Sequence, residues 1–67
     1  MICIYRIYKI VCTVTNKIYI GCTTKSIHIR FKEHIKASRN KNKHSFLYDD
    51  MNKYGTDCFY VELIEEG

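Results

Sequence analysis

The apolar positions of the chain follow three different rhythms, and each predicts an element. Residues 3–12, CIYRIYKIVC, are dense in β-branched and aromatic side chains, which predicts a strand. The polar TVTN that follows predicts a turn, with Asn16 suited to a left-handed backbone. KIYIGC, residues 17–22, predicts a second strand. Lys17, Tyr19 and Gly21 fall on one face, and Ile18, Ile20 and Cys22 on the other. A tight turn centred on Thr13 and Val14 would set Cys12 against Thr15 and Tyr8 against Tyr19. Both phenols would then project from the same side of the hairpin. A longer turn shifts that register by a residue or two.

From Ile27 the period changes. Ile27, Phe31 and Ile35 recur every four residues, Ser26 is suited to cap the start, and Ala37 and Ser38 close the last turn. This predicts a first helix. On it, Arg30 and His34 share a face beside the apolar stripe. A polar, basic loop, SRNKNK, leads to HSFLYDDMNKYG, which predicts a second helix. That helix packs through Phe46 or Leu47, then Met51 and Tyr54, with Gly55 as its cap. A turn at Thr56 and Asp57 precedes a third strand, CFYVELIE. The order β-β-α-α-β is an α+β layout with a three-stranded antiparallel sheet flanked by helices.

The 67 residues bound this to a single domain, spanning 1–67. A domain so small buries only about 60% of its unfolded surface, so its core is marginal. The apolar fraction of 46% is ordinary for a folded protein and argues against disorder. No apolar run reaches the ~20 residues of a membrane span, and the first ten residues lack the pattern of a signal peptide. The default expectation is an intracellular protein of the cytoplasm or nucleus, with no membrane partner. The four cysteines, Cys3, Cys12, Cys22 and Cys58, form no C-x-x-C pair and no zinc spacing. Three of the four sit in strand-like runs, where a buried thiol acts as a small hydrophobe. Eleven lysines and arginines against seven acids give a net charge of +4, with the basic residues crowded between Lys25 and Lys43. Such a segment attracts phosphate.

RIY at residues 6–8, YIG at 19–21 and RFKEH at 30–34 together resemble the GIY-YIG nuclease domain, in its homing-endonuclease-like form. Ile7 and Tyr8 match the first motif, and Tyr19, Ile20 and Gly21 the second. Arg30 and His34 match the family's arginine and its histidine four residues on. His44 stands where homing-type members carry another histidine, and NKYGTDCFYVELIEE resembles the stretch through the third strand. The likeness covers nearly the whole chain. It departs in two places. Arg6 replaces the glycine of the first motif, a strand position where a large side chain fits if it points to solvent or DNA. The family's third helix, whose glutamate binds a divalent metal, lies beyond Gly67, as does a later asparagine of some members. Glu62, Glu65 and Glu66 do not take that glutamate's place, and the chain reads as the domain truncated before its metal-binding helix.

The resemblance implies a DNA endonuclease that hydrolyses phosphodiesters with Mg2+ or Mn2+ bound by the glutamate absent here. Homing, repair, restriction or viral roles, and a virus, phage or mobile-element origin, are all compatible with it. One phenol would deprotonate the attacking water and the other position it, with Tyr8 as base and Tyr19 as partner, or the reverse. Arg30 would hold the scissile phosphate, and His34 would assist proton transfer or contact phosphate, with His44 as a further catalytic candidate. A phenol titrates near ~10 and needs a cation to lower it. Arg30, Arg6, Lys9 and Lys17 are candidates for that cation. Arg6, Lys17, Lys32, Arg39, Lys41 and Lys43 would contact the DNA. His28, Tyr5, Tyr48, Tyr54 and Tyr60 read as surface, core or boundary residues. The alternative is a DNA-binding or interaction module that kept the fold and lost catalysis. Without a covering helix, one apolar sheet face would stay open to self-association, or leave the chain only moderately stable.

Overall fold

The computed structural model describes residues 4–40 and 42–67, so Cys3 and Lys41 lie outside the described residues. Strand β1 (Arg6–Cys12) leads to β2 (Ile18–Thr23), helix α1 (Ile27–Ser38), helix α2 (Phe46–Tyr54), one 3₁₀ turn (Thr56–Cys58) and β3 (Phe59–Glu66). The sheet is antiparallel with order β2-β1-β3, so β1 is central. The α+β layout predicted from the pattern is the one observed.

Its central position makes β1 the organiser of the core. Tyr8, Ile10 and Cys12 alternate onto one face and are buried there. Leu47 and Met51 of α2 and Phe59 of β3 complete the buried cluster, and Ile27, Phe31 and Ile35 of α1 pack against it. The sequence leaves Phe46 and Leu47 as alternatives for the inward position. Leu47 takes it, and Phe46 stands 87% exposed. Ser45 caps α2, its hydroxyl accepting the Tyr48 amide at 3.1 Å. Gly55 ends the helix at φ 89°, a left-handed conformation that glycine adopts without strain. Ser26 precedes α1 without a side-chain cap; its carbonyl accepts the Arg30 amide at 3.0 Å.

The hairpin register differs from the tight-turn expectation. The Asn16 amide bonds the Cys12 carbonyl at 2.8 Å, and the Cys12 amide bonds the Lys17 carbonyl at 3.0 Å. Residues 13–16 therefore form the loop, closed by Asn16 at φ 63°. Tyr8 pairs with Gly21, and Tyr19 with Ile10, so the phenols are not directly opposed. Because the slip is two residues, the side-chain parity survives and both phenols still face the helices. Cys12 is buried as expected of a structural thiol, whereas Cys22 falls on the outer face of the edge strand and is exposed. On that outer face Ile18, Ile20, Tyr60 and Ile64 are solvent-exposed around a Lys9–Glu62 pair at 4.0 Å.

The two faces predict opposite responses to truncation. Ile10 is 1% exposed, and Ile10→Ala should cost about 2–5 kcal/mol. That is most of what a domain below ~70 residues holds. Ile20 is 65% exposed, and Ile20→Ala should stay within about 0.5 kcal/mol of the parent. Urea unfolding followed by circular dichroism measures both, and equal destabilisation of the two variants would contradict this assignment of faces.

Candidate active site

The site begins with the pairing of Tyr8 and Gly21 across the central and edge strands. The Tyr8 ring lies over Gly21 so closely that a Cβ there would overlap the phenol oxygen. A glycine is therefore required by the neighbour's ring, not by its own backbone angles. Laid across the sheet in this way, the phenol reaches α1, where its oxygen sits 2.8 Å from His34 Nε2. The other ring nitrogen, Nδ1, lies 3.1 Å from the Tyr48 hydroxyl of α2. One imidazole thus links a strand phenol to a helix phenol. Arg30, one helical turn before His34, flanks the same space. Tyr8, Tyr19, Arg30, His34, Ser45 and Phe46 line a cleft of about 430 Å³.

Burial raises the Tyr8 phenol above its ordinary value, and the Arg30 guanidinium beside it opposes that rise without reversing it. The expected net lowering by a cation is therefore not found. The other candidate cations are occupied elsewhere. Arg6 bonds Glu66 at 2.8 Å and the carbonyls of Thr24 and Lys25. Lys9 faces Glu62 on the outer side of the sheet, and Lys17 lies 3.6 Å from Asp50. His34 is held below its ordinary value of 6.5 by burial and by the Arg30 charge, so its ring is neutral near pH 7.

Tyr19 has a different environment. Its hydroxyl donates to the Asp50 carboxylate of α2. Burial and that carboxylate together push the Tyr19 phenol far up. Asp50 is correspondingly held low, by the Tyr19 bond and then by Lys17. Glu33 sits between two cations, 2.7 Å from Lys25 and 3.1 Å from Arg30. They hold its carboxyl low.

Tyr8, Tyr19, Arg30 and His34 are thus gathered around one space. His44 is exposed before α2, and its neighbours Ser45 and Phe46 line the cleft in its place. Arg6, at the glycine position of the first motif, ties the end of β3 to the loop after β2. Lys32 is exposed and lines neither the cleft nor the cavity beside it, whereas Arg39 and Lys43 line that cavity. Two site residues are not singled out by the sequence reading, Tyr48 and Asp50. Asp50 carries a usable signal: it stands three residues after Leu47 and beside Met51, a carboxylate on the apolar face of a helix.

Among the described residues, no three His, Cys, Asp or Glu side chains gather in a group that could hold a metal ion. Glu62, Glu65 and Glu66 are engaged with Lys9, Tyr5 and Arg6. The described residues do not fit a divalent-metal site.

The chain is 37% identical over 60 residues to the MSV199 domain-containing protein 146R of Invertebrate iridescent virus 6. The match takes in 90% of this chain and 24% of that protein. Its structure is similar to that of an alanine mutant of the catalytic domain of intron endonuclease I-TevI, with a TM-score of 0.78 and 32% identity. That superposition covers 94% of this chain and 65% of the other, so the chain spans under two thirds of either relative. The family model of the GIY-YIG catalytic domain matches residues 1–66. With the paired motifs, the R-x-x-x-H helix and the fold all in agreement, the chain belongs to the GIY-YIG catalytic domain family.

Proposed function

We propose that this domain hydrolyses DNA phosphodiester bonds, with Tyr8 as general base, His34 as the acceptor of its proton and Arg30 as the phosphate clamp. The observation that carries the reading is the 2.8 Å contact between the Tyr8 oxygen and His34 Nε2, in a cleft shared with Arg30. A phenol raised by burial is not a free phenolate at neutral pH. It acts as a base only if its own proton has somewhere to go. Neutral His34 supplies that place. It accepts at Nε2 while its Nδ1–H donates to the Tyr48 oxygen, since a neutral imidazole accepts at one nitrogen only. As water approaches, its proton passes to Tyr8, the Tyr8 proton passes to His34, and the hydroxide oxygen bonds phosphorus. The leaving oxygen departs with the P–O electron pair and takes a proton from solvent. Arg30 offers a planar fork of donors to the phosphate oxygens as charge builds there.

Tyr19 is less suited to the base role, because the acceptor of its hydroxyl, Asp50, is held below the ordinary carboxylate range and takes a proton less readily than the His34 imidazole. With its O–H turned to that carboxylate, its lone pairs are free to accept a hydrogen bond and orient the water. The two phenols thus divide the work by environment, as paired acid–base groups do when their surroundings separate them.

Nicking of supercoiled plasmid in magnesium or manganese buffer tests the assignment. Tyr8→Phe and His34→Ala should each lower the rate by about 10²–10⁴. Arg30→Ala should lower it by about 10²–10³. Tyr19→Phe should lose less than Tyr8→Phe. Variants that cut as fast as the parent would sink the reading, and tight DNA binding by a parent that never nicks would favour the binding-module alternative.

A pH profile gives a separate check. His34 must be neutral to accept the proton, and its pKa is held below 6.5. Activity should persist at pH 6.5 and fall only as the pH drops through the lowered value. Stability moves in the same direction. The unfolded histidine binds more protons between the two values, so stability is full above 6.5 and declines below it. A rate already halved at pH 7 would contradict the neutral-histidine relay.

Gly21→Ala should act through Tyr8 alone. The added methyl displaces the phenol from His34, so the nicking rate should fall toward that of Tyr8→Phe. Retention of parental activity by Gly21→Ala would show that the observed ring position is not the working one.

A further inference from the structure

Beside the cleft, and sharing Arg30 with it, lies a second and larger cavity of about 780 Å³. Its wall carries Lys25, Arg30, Lys36, Arg39 and Lys43, with Glu33 as the one acid. Five cations against one carboxylate leave a formal excess of four positive charges there, as large as the net charge of the whole 67-residue chain. The other residues of the sequence carry six cations and six acids, so the formal excess equals that of the described wall residues. The Glu33 carboxylate is engaged by Lys25 and Arg30, at 2.7 and 3.1 Å, and not by Lys36, Arg39 or Lys43. The C-terminal end of α1 contributes about half a negative charge nearby. The amides of Arg39 and Asn40 already take the carbonyls of Lys36 and Ala37, at 3.2 and 3.0 Å.

The rim is also held in shape. The Lys43 amide bonds the Asn40 carbonyl at 3.0 Å, and the Asn42 amide bonds the Asn40 side chain at 2.9 Å. A concave surface with such an excess of one sign concentrates anions more strongly than the same charges on a convex face. Lys36, Arg39 and Lys43 form no ion pair among the described residues. Their charges suit a phosphate diester, whose two free oxygens accept from several donors at once.

We propose that this cavity is a second phosphate subsite, which holds a phosphodiester neighbouring the one gripped by Arg30 on the same DNA strand. The proposal deepens the nuclease reading and rests on it for the placement of the scissile phosphate. Arg30 faces both spaces, so the strand passes from the outer cavity over Arg30 into the cleft. Lys25 and Lys36, which the motifs do not mark, become DNA contacts together with Arg39 and Lys43. The subsite fixes the register of the strand relative to Tyr8 while touching no reacting atom.

The test is binding of a fluorescein-labelled DNA duplex without divalent metal, read by anisotropy from about 50 to 200 mM salt. Removing one lysine that neutralises a phosphate should flatten the log–log salt dependence by about 0.9. Lys36→Gln with Lys43→Gln should therefore give a shallower slope and weaker binding at low salt. Lys53→Gln, an exposed lysine of α2 that lines neither space, should keep the parental slope. A double variant with the parental slope would overturn the subsite, and so would an equal change in Lys53→Gln, which would mark the effect as diffuse charge. Plasmid nicking by the parent separates this from the reading beneath it. A parent that nicks, paired with an unaltered slope in the double variant, removes the subsite alone. A parent that never nicks, paired with the expected flattening in the double variant, keeps the phosphate site and removes the nuclease reading.

Discussion

The packing of the Tyr8 ring across Gly21 is the contact on which the rest of this structure turns. It requires a glycine on the edge strand, a phenol on the central strand and a register that sets them face to face. A Cβ at residue 21 would overlap the phenol end of Tyr8, so the ring could not keep its present place. The YIG tripeptide is therefore a steric statement as much as a chemical one. Its glycine makes room for the tyrosine of the other tripeptide. Two motifs that look independent in the chain are one contact in space.

That contact also joins stability to chemistry. Tyr8 belongs to the same buried cluster as Ile10, Cys12 and Met51, yet its oxygen opens to the cleft side and meets His34. A buried hydroxyl without a partner costs about 1–3 kcal/mol, so the imidazole satisfies a structural need of the core. The Tyr8–His34–Tyr48 chain uses both ring nitrogens and fixes the ring between strand and helices. A marginal core of this size has few places to hide a polar network. It does so where three elements, β1, α1 and α2, already converge.

Much of this was legible in the chain because period and turn chemistry are local. The helix of Ile27, Phe31 and Ile35, the cap at Gly55 and the left-handed Asn16 all follow from nearest neighbours. That Arg30 and His34 share a helix face followed from their spacing, and that they meet the hairpin phenols was what the resemblance to the GIY-YIG domain implied. What escaped depends on long-range geometry. The loop of residues 13–16 is two residues longer than the tight turn, and nothing in TVTN alone selects between them. The exposure of Cys22 follows from its strand lying at an edge with an uncovered outer face, a property of strand order. Arg6 reads as a free cation, but Glu66, sixty residues later, claims it. Tyr48 looks like a boundary aromatic until α2 is docked against His34.

The two phenols show how one fold can give the same side chain two environments. Both stand on the helix-facing side of one hairpin, and burial raises both. Their partners decide the difference. Tyr8 faces a neutral ring that can take a proton and a guanidinium that favours the phenolate. Tyr19 faces a carboxylate that favours the protonated form and holds the hydroxyl hydrogen in place. The Tyr19 bond itself, and then Lys17, hold Asp50 low, so the carboxylate stays ionised against Tyr19 through the neutral pH range. A symmetric pair of tyrosines thereby becomes an asymmetric site, with the asymmetry supplied by His34 and Arg30 of α1 and by Asp50 of α2 rather than by either tripeptide. The motif places two phenols in one cleft, and the two helices give them different partners.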